Sequence, residues 1–140
     1  MRIVLCTETY LPILDGVVTF VQMLSDELTK QGHAVLVIAP DHKAKKHFIK
    51  DGVLHCPAMR SKQLTVDISF PVDPARFKLL KEFCPDIIHI QHEWGISLFG
   101  LESARLLHIP LVYTLHSEYS KYMFYAVKKF MIPWATVNLA

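Results

Sequence analysis

The sequence predicts an α/β protein whose doubly wound, mainly parallel sheet is Rossmann-like. Two patterns predict this fold. Short, continuous apolar runs, typical of strands covered on both faces, alternate with segments of helical periodicity. The helical segments lie between successive apolar runs, as the crossover connections of parallel strands require. The chain has 140 residues, 51% of them hydrophobic, which is enough for one domain with a single core.

The first unit is a strand, a helix and a second strand. Residues 3–6 form an apolar run, and Gly32 stands where a helix C-terminus favours glycine. Residues 34–39 form the second apolar run, and we expect Pro40 to end that strand. The helix between them carries apolar residues at helical spacing: Val17, Val21, Leu24 and Leu28.

The rest of the chain repeats this alternation. Residues 41–51, DHKAKKHFIKD, are polar and basic and predict a surface loop, and two short apolar segments follow at 53–56 and 65–70. The later elements are a helix opened by Pro74, a strand at 87–90, a helix at 97–108 and a strand at 111–115.

Polar residues follow several of these strands. In open parallel sheets, ligands bind beyond the carboxyl ends of the strands. We therefore expect one edge of the sheet to gather the residues that follow the strands: residues 7–16, Asp41, His42, residues 91–94 and residues 116–119.

The loop after the first strand ends in Gly16 at the start of a helix. A dinucleotide site needs a GxGxxG turn, which this loop lacks, although Asp41 lies where a ribose-binding acid would follow the second strand. A glycine at a helix N-terminus lets an anion approach unpaired N–H groups. Alternatively, Gly16 serves only as the helix N-cap.

The histidines divide into two kinds. His89 lies within an apolar strand and predicts a hydrogen-bonded core histidine. His92 and His116 follow strands beside Glu93 and Glu118, whose carboxylates could raise the imidazole pKa values. A zinc site built on His89, His92 and His116 is disfavoured, because residues three apart along a strand point to opposite faces.

Composition excludes several other classes. The cysteines number 3 and include no CxxC pair, which argues against disulfides and thiolate zinc sites. A net charge of +2 is too small for a nucleic-acid-binding protein. The sequence contains neither a signal-peptide pattern nor an apolar run of about 18 residues, so we expect a cytoplasmic protein.

Two long stretches resemble the N-terminal domain of retaining glycosyltransferases of family 4, which have the two-domain GT-B fold. They are TETYLPILDGVVTFVQMLSDELTKQGHAVLVIAP and PDIIHIQHEWGISLFGLESARLLHIPLVYTLHSEY. The continuation HSEYSKYMFY is most similar to the diacylglycerol glucosyltransferase branch. The family often has two glycines where this chain has Asp15 and Gly16, and threonine where it has Ser117.

The resemblance implies an acceptor-side domain of an enzyme that moves a hexose from a UDP- or GDP-sugar to an acceptor, with no metal required. Gly16 would meet the donor diphosphate, and His116 would lie near the reacting sugar and act in catalysis. A membrane glycerolipid is one expected acceptor, with the enzyme peripheral on the inner face of the membrane. The remaining residues expected to bind the acceptor are Tyr10, His92, Glu93, Ser117 and Tyr119.

The family's second domain, which carries most of the nucleotide contacts, is not among residues 1–140. We expect these residues to form one acceptor-side domain that is incomplete at its C-terminus and inactive alone. The alternative function is a noncatalytic domain that binds a nucleotide, a membrane or a protein partner. Its basis is EYSKYMFYAVKKFMIPW, which would form a basic, aromatic amphipathic helix suited to an anionic bilayer or to packing on the sheet.

Overall fold

A computed structural model describes residues 1–63 and 66–116, which contain eight strands and three helices. The helices are α1 (Gly16–Lys30), α2 (Pro74–Phe83) and α3 (Gly95–Leu107). The strands are β1 (Arg2–Cys6), β2 (Ala34–Asp41), β3 (Phe48–Lys50), β4 (Val53–Pro57), β5 (Met59–Arg60), β6 (Asp67–Ile68), β7 (Ile87–Ile90) and β8 (Leu111–Tyr113).

The main sheet has six strands in the order β3-β4-β2-β1-β7-β8, and β5 and β6 form a separate antiparallel pair. Within the main sheet only the β3–β4 pair is antiparallel. The predicted α/β class with a mainly parallel sheet is therefore confirmed. β2, β4 and β3 lie on one side of β1 in the sheet, and β7 and β8, which come later in the chain, lie on the other side. The strand order thus reverses between β1 and β7, where open α/β sheets bind their ligands.

Helices cover both faces of the sheet, as a doubly wound fold requires. On one face, the Val21 side chain of α1 packs with Ile3 and Leu5 of β1 and with Val37 of β2. On the other face, α2 and α3 pack against the alternate residues of the same strands. That second core contains Val4, Cys6, Leu36, Ile38, Leu54, Cys56, Leu80, Ile88, Ile90, Ile96, Phe99 and Ala104. Each central strand is therefore apolar on both faces, as its continuous run of apolar residues indicated.

The prediction that Pro40 ends the second strand is wrong, because β2 continues to Asp41 and pairs with β4 through both residues. The N–H of Val37 donates to Gly52, on the β4 side, so alternation directs position 40 toward the β1 side. There β1 has already ended, since its last residue pairs with Ile38. Proline is tolerated because no partner strand needs its missing N–H.

The predicted surface loop at residues 41–51 is also partly wrong, because it contains β3, an edge strand that pairs with β4. The turn between these strands is Asp51-Gly52, with φ values of +52° and +75°. An Asp-Gly pair with both residues at positive φ is the preferred two-residue hairpin turn. That dipeptide was the available signal for the hairpin.

Other boundaries differ by a few residues. α3 begins at Gly95, two residues before the predicted start, and the left-handed His108 follows its last turn. β8 ends at Tyr113, and β6 covers only Asp67–Ile68 of the apolar segment predicted at 65–70.

Candidate functional site

Three hydrogen bonds close a loop across the reversal point of the sheet. The Glu8 N–H, just after β1, donates to His92 Nδ1 at 3.3 Å. The His92 N–H, just after β7, donates to Ser97 Oγ at 3.1 Å. The Ser97 N–H, in the first turn of α3, donates to Glu8 Oε1 at 2.8 Å. The ends of β1, β7 and α3 are therefore held as one unit.

Glu8 is a buried carboxyl at the centre of this unit, with its side chain on the N-terminus of α3. The Trp94 N-cap gives α3 no side-chain cap, and Glu8 supplies that acceptor from another part of the chain. A Cβ at position 95 would collide with the Glu8 carboxyl. Gly95 also has φ of +51°, a left-handed conformation that favours glycine, so both the space and the backbone favour glycine at this position.

Burial raises the pKa of Glu8 to about 8, although N–H groups of Ser97 and Ile96 favour the ionised form. The second oxygen, Oε2, has no hydrogen-bond partner among the residues that the structure describes. Glu8 is therefore mainly protonated at neutral pH.

His92 is a neutral imidazole at physiological pH. Burial, and secondly the neighbouring His116, lower its pKa to about 4. The expectation that an adjacent carboxylate raises the pKa of His92 is wrong, because Glu93 is exposed while the His92 ring is turned into the protein toward Glu8. Since Nδ1 accepts the Glu8 N–H, the proton of the neutral ring lies on Nε2, which makes Nε2 a hydrogen-bond donor.

His116 lies beside His92, with ring centroids 6.5 Å apart. Its Nε2 is 2.6 Å from the Oε1 of Gln91, a buried residue. The ring also meets Phe20 of α1 edge-on, with centroids 4.9 Å apart. His116 is therefore held between the residue that follows β7 and the first turns of α1, so two of the predicted site residues, His92 and His116, share one crevice.

The N-terminus of α1 borders the same crevice. Asp15, not Gly16, is the N-cap, because its Oδ1 accepts the Val18 N–H at 2.8 Å, so the alternative role for Gly16 is wrong. The N–H groups of Gly16 and Val17 precede the first intrahelical bond, which Thr19 makes to Asp15. Apart from its chain neighbours and the backbone of its own helix, no atom of residues 1–63 and 66–116 lies within 4 Å of the Cβ position at Gly16, so these residues leave the helix start open.

Tyr10 lies apart from the histidines. It lines a cavity of about 610 Å³ at the β2 side of Glu8. The other residues around this cavity are Glu8, Leu11, Pro12, Ile13, Pro40, Asp41, His42, Lys43, His55, Arg60 and Asp67. Glu8 thus connects the two regions, since its N–H donates to His92 in the histidine crevice and the residue also lines this cavity.

Sequence reasoning missed several of these residues as members of a site. Asp41 and His42 were expected at the sheet edge, but Glu8, His55, Arg60 and Asp67 were not singled out. The position of Glu8, two residues after the end of the first strand, was the available signal. Of the other predicted residues, Ser117 and Tyr119 lie outside the described residues, as does the amphipathic helix predicted beyond them.

The predicted core role of His89 is confirmed in part: the residue is half-buried and its Nε2 lies 2.7 Å from Thr114 Oγ1. Residues 1–63 and 66–116 contain no group of three or more His, Cys, Asp or Glu side chains arranged to hold a metal ion. Within the same ranges, no helix has the length and apolar character needed to cross a bilayer.

The chain is similar in sequence to several glycosyltransferases. The chain is 33% identical to an alpha-monoglucosyldiacylglycerol synthase of Streptococcus pneumoniae over 94% of its length, and 32% identical to one of Acholeplasma laidlawii over 91%. It is also 32% identical, over 84% of its length, to a GDP-mannose-dependent alpha-mannosyltransferase of Mycolicibacterium smegmatis. The chain spans only 30%, 33% and 33% of these three relatives, respectively.

The predicted resemblance to the lipid-glycosyltransferase branch is thereby confirmed. The sequence profile of Glycosyltransferase Family 4 matches residues 14–137, which include α1, the histidine crevice and all strands after β1. The chain belongs to glycosyltransferase family 4.

Proposed function

We propose that this chain is the acceptor-side domain of a retaining glycosyltransferase that moves a hexose from a nucleotide sugar to a hydroxyl group. The observation that carries the proposal is the crevice at the reversal point of the sheet, where the rings of His92 and His116 lie side by side and His116 contacts Phe20 of α1. Similarity to glucosyldiacylglycerol synthases over nearly the whole chain favours a membrane glycerolipid as the acceptor.

The residues of the crevice suit the parts of such a reaction. The N–H groups of Gly16 and Val17, which precede the first intrahelical bond, would stabilise the departing diphosphate. His116, fixed by Gln91, would contact the reacting sugar or the acceptor hydroxyl. His92, neutral with its proton on Nε2, would donate a hydrogen bond to an acceptor oxygen. The departing diphosphate would take the acceptor proton in a same-face displacement, the mechanism usually proposed for this family.

The Asp15 carboxyl at the same helix start opposes an anion there, since it already occupies the Val18 N–H. A diphosphate would therefore need further positive charge from elsewhere in the enzyme. We propose that this comes from a C-terminal nucleotide-sugar domain, the partner across the crevice. The enzyme would use a UDP- or GDP-hexose without a metal ion and would work at the cytoplasmic face of a membrane.

The test is transfer by an enzyme that joins this chain to a nucleotide-sugar domain. UDP-glucose and GDP-mannose are supplied separately with vesicles that contain diacylglycerol, the product is identified by mass spectrometry, and its anomeric configuration is read by NMR. We expect a glycolipid with the donor's configuration, formed equally well in EDTA. Nucleotide-sugar binding without transfer to any hydroxyl would overturn the proposal in favour of a noncatalytic domain, and an inverted product would overturn the retaining mechanism.

A further inference from the structure

The cavity beyond Glu8 is built from two carboxylates that are each held by a histidine. His42 Nδ1 lies 2.8 Å from Asp67 Oδ2, which also accepts the His42 N–H at 3.1 Å. In the second pair, His55 Nδ1 lies 3.1 Å from Asp41 Oδ2. These contacts orient the carboxylates without using all of their lone pairs, so each retains acceptor capacity toward a ligand in the cavity.

Glu8 is a third carboxyl residue on the wall of this cavity. Its side chain is only 3% exposed, and both oxygens lie at the start of α3, where Oε1 accepts the Ser97 N–H and Oε2 packs beside Gly95. This carboxyl, buried and mainly protonated at neutral pH, therefore bounds the cavity without adding a charge to it.

The charged residues around the cavity balance, with Asp41 and Asp67 against Arg60 and Lys43, so they give an anionic ligand no net attraction. Asp41 and Asp67 both line it, and the guanidinium of Arg60 is already paired with Asp67 at 3.2 Å. A phosphate would have to approach both carboxylates, with Lys43 as the other cation on the wall. Hydroxyl groups, which both donate and accept, match this mixture of carboxylate and imidazole groups.

The remaining wall is apolar and aromatic, formed by residues 10–13, which are Tyr10, Leu11, Pro12 and Ile13. A pyranose ring has the matching character, with hydroxyl groups around its rim and C–H groups on its faces. The volume of about 610 Å³ lies within the range of about 300–1,000 Å³ typical of small-molecule sites. The cavity therefore has room for a whole sugar ring and not merely for one hydroxyl group.

We infer that this cavity binds an uncharged polyol the size of one hexose ring, and hence that a glycosylated glycerolipid is a better acceptor than diacylglycerol itself. The second part rests on the proposed function, because it assumes that the cavity and the histidine crevice serve one acceptor. A glycosylated diacylglycerol would place its sugar in the cavity, next to Glu8, and present one hydroxyl of that sugar to the crevice.

Direct binding tests the cavity without any transfer reaction. Methyl α-D-glucoside and inorganic phosphate are titrated separately into the unaltered protein, and amide chemical-shift changes are followed by NMR. We expect saturable shifts in residues 10, 11, 13, 41–43 and 55 with the glucoside only. Asp67→Asn and Asp41→Asn should each weaken binding at least tenfold. A cavity that binds phosphate in preference, or no glucoside at all, would overturn the inference.

Asp73→Asn is the matched control, because Asp73 also lies 2.8 Å from a histidine, His47, but does not line the cavity. Its glucoside affinity should equal that of the parent, and thermal melting of all the variants shows whether each is folded. An equal loss in the control would mean that the effect is structural, which also contradicts the inference.

Kinetics of the complete enzyme test the second part. With a glucosylated diacylglycerol as acceptor, Asp67→Asn should raise the acceptor KM at least tenfold and leave the KM for nucleotide sugar unchanged. With diacylglycerol, the same change should have little effect. Equal effects on the two acceptors would refute the assignment of the sugar to the cavity, whereas a parent enzyme that transfers to neither acceptor would refute the proposed function instead.

Discussion

The backbone N–H of Glu8 donates to Nδ1 of His92 across the point where the strand order reverses, joining the ends of β1 and β7. This bond fixes the tautomer of His92, and the Glu8 side chain reaches on to the start of α3. A residue that lies after the first strand therefore controls the geometry of a ring 84 positions later in the chain. Glu8 is thus a positioning residue for the crevice as well as part of the cavity wall.

The stability of the protein should depend on pH through Glu8. Its pKa is about 8 in the folded protein against an ordinary value of 4.5, so between these values the folded state holds more protons than the unfolded state. The unfolding free energy therefore falls as the pH rises, by up to about 1.4 kcal/mol per pH unit. Glu8→Gln keeps an oxygen for the Ser97 N–H and should flatten the melting temperature between pH 6.5 and 8. An unchanged slope would contradict the raised pKa of Glu8.

His92 should have the opposite effect at lower pH. Its pKa is about 4 in the folded protein against an ordinary value of 6.5, so between these values the unfolded chain binds the extra proton. Stability from His92 is present above about pH 6.5 and is lost as the pH falls toward 4. In His92→Asn, the melting temperature should decline less on acidification than in the parent. Measurement from pH 6.5 to 4 in both proteins isolates this contribution, since Glu8 is unaltered in each.

Replacing Gly16 with valine should lower turnover without unfolding the domain. A Cβ at position 16 meets no atom of another element within 4 Å in the part of the chain that the structure describes, but the valine side chain would occupy the approach of a diphosphate to the start of α1. Loss of one preorganised donor costs about 10²-fold in rate at comparable sites.

His116→Ala should lower turnover to a similar extent, because it removes the imidazole that Gln91 orients. Turnover per folded molecule is measured with sugar nucleotide and lipid acceptor, and parental rates in both variants would remove these residues from the site.

Gly95→Ala should destabilise the fold by about 1–3 kcal/mol. The added methyl group would strike the Glu8 carboxyl, and φ of +51° is unfavourable for residues with a Cβ. Gly16→Ala is the matched control, because it adds the same methyl group to open space in the first turn of a helix. Chemical denaturation of the two variants gives the comparison, and similar unfolding free energies would show that Glu8 does not constrain position 95.

Arg76 should be the most sensitive charged residue in the core. It is 1% exposed, donates to the Phe70 carbonyl at 2.9 Å and to Ser69 Oγ at 2.6 Å, and covers the Phe99 ring at 4.8 Å. Arg76→Ala leaves these acceptors unpaired and opens a cavity, so we expect a loss of about 3 kcal/mol or more.

The control for Arg76 is Arg105→Ala. Arg105 forms an ion pair with Glu102 at 2.8 Å, but both side chains are largely exposed. Its removal should cost less than about 1 kcal/mol. Equal unfolding free energies for the two variants would contradict the structural role given to Arg76.

The sequence by itself determined the local elements. Continuous apolar runs defined the buried strands, and the spacing of Val17, Val21 and Leu24 defined the buried face of α1, because strand burial and helical period are properties of neighbouring residues. Pro74 likewise marked the start of α2 correctly. The position of Gly16 at a helix start was read from the same local pattern.

Only the tertiary structure decided which of these residues meet. Three of these contacts depend on the order of the strands and on loops whose paths no local pattern specifies. They are Glu8 with His92, His92 with His116, and Asp67 with Asp41 around one cavity. The pKa of His92 followed this geometry and moved opposite to the expectation from its neighbour Glu93. Burial acts through every atom packed around the ring, and those atoms come from distant parts of the chain.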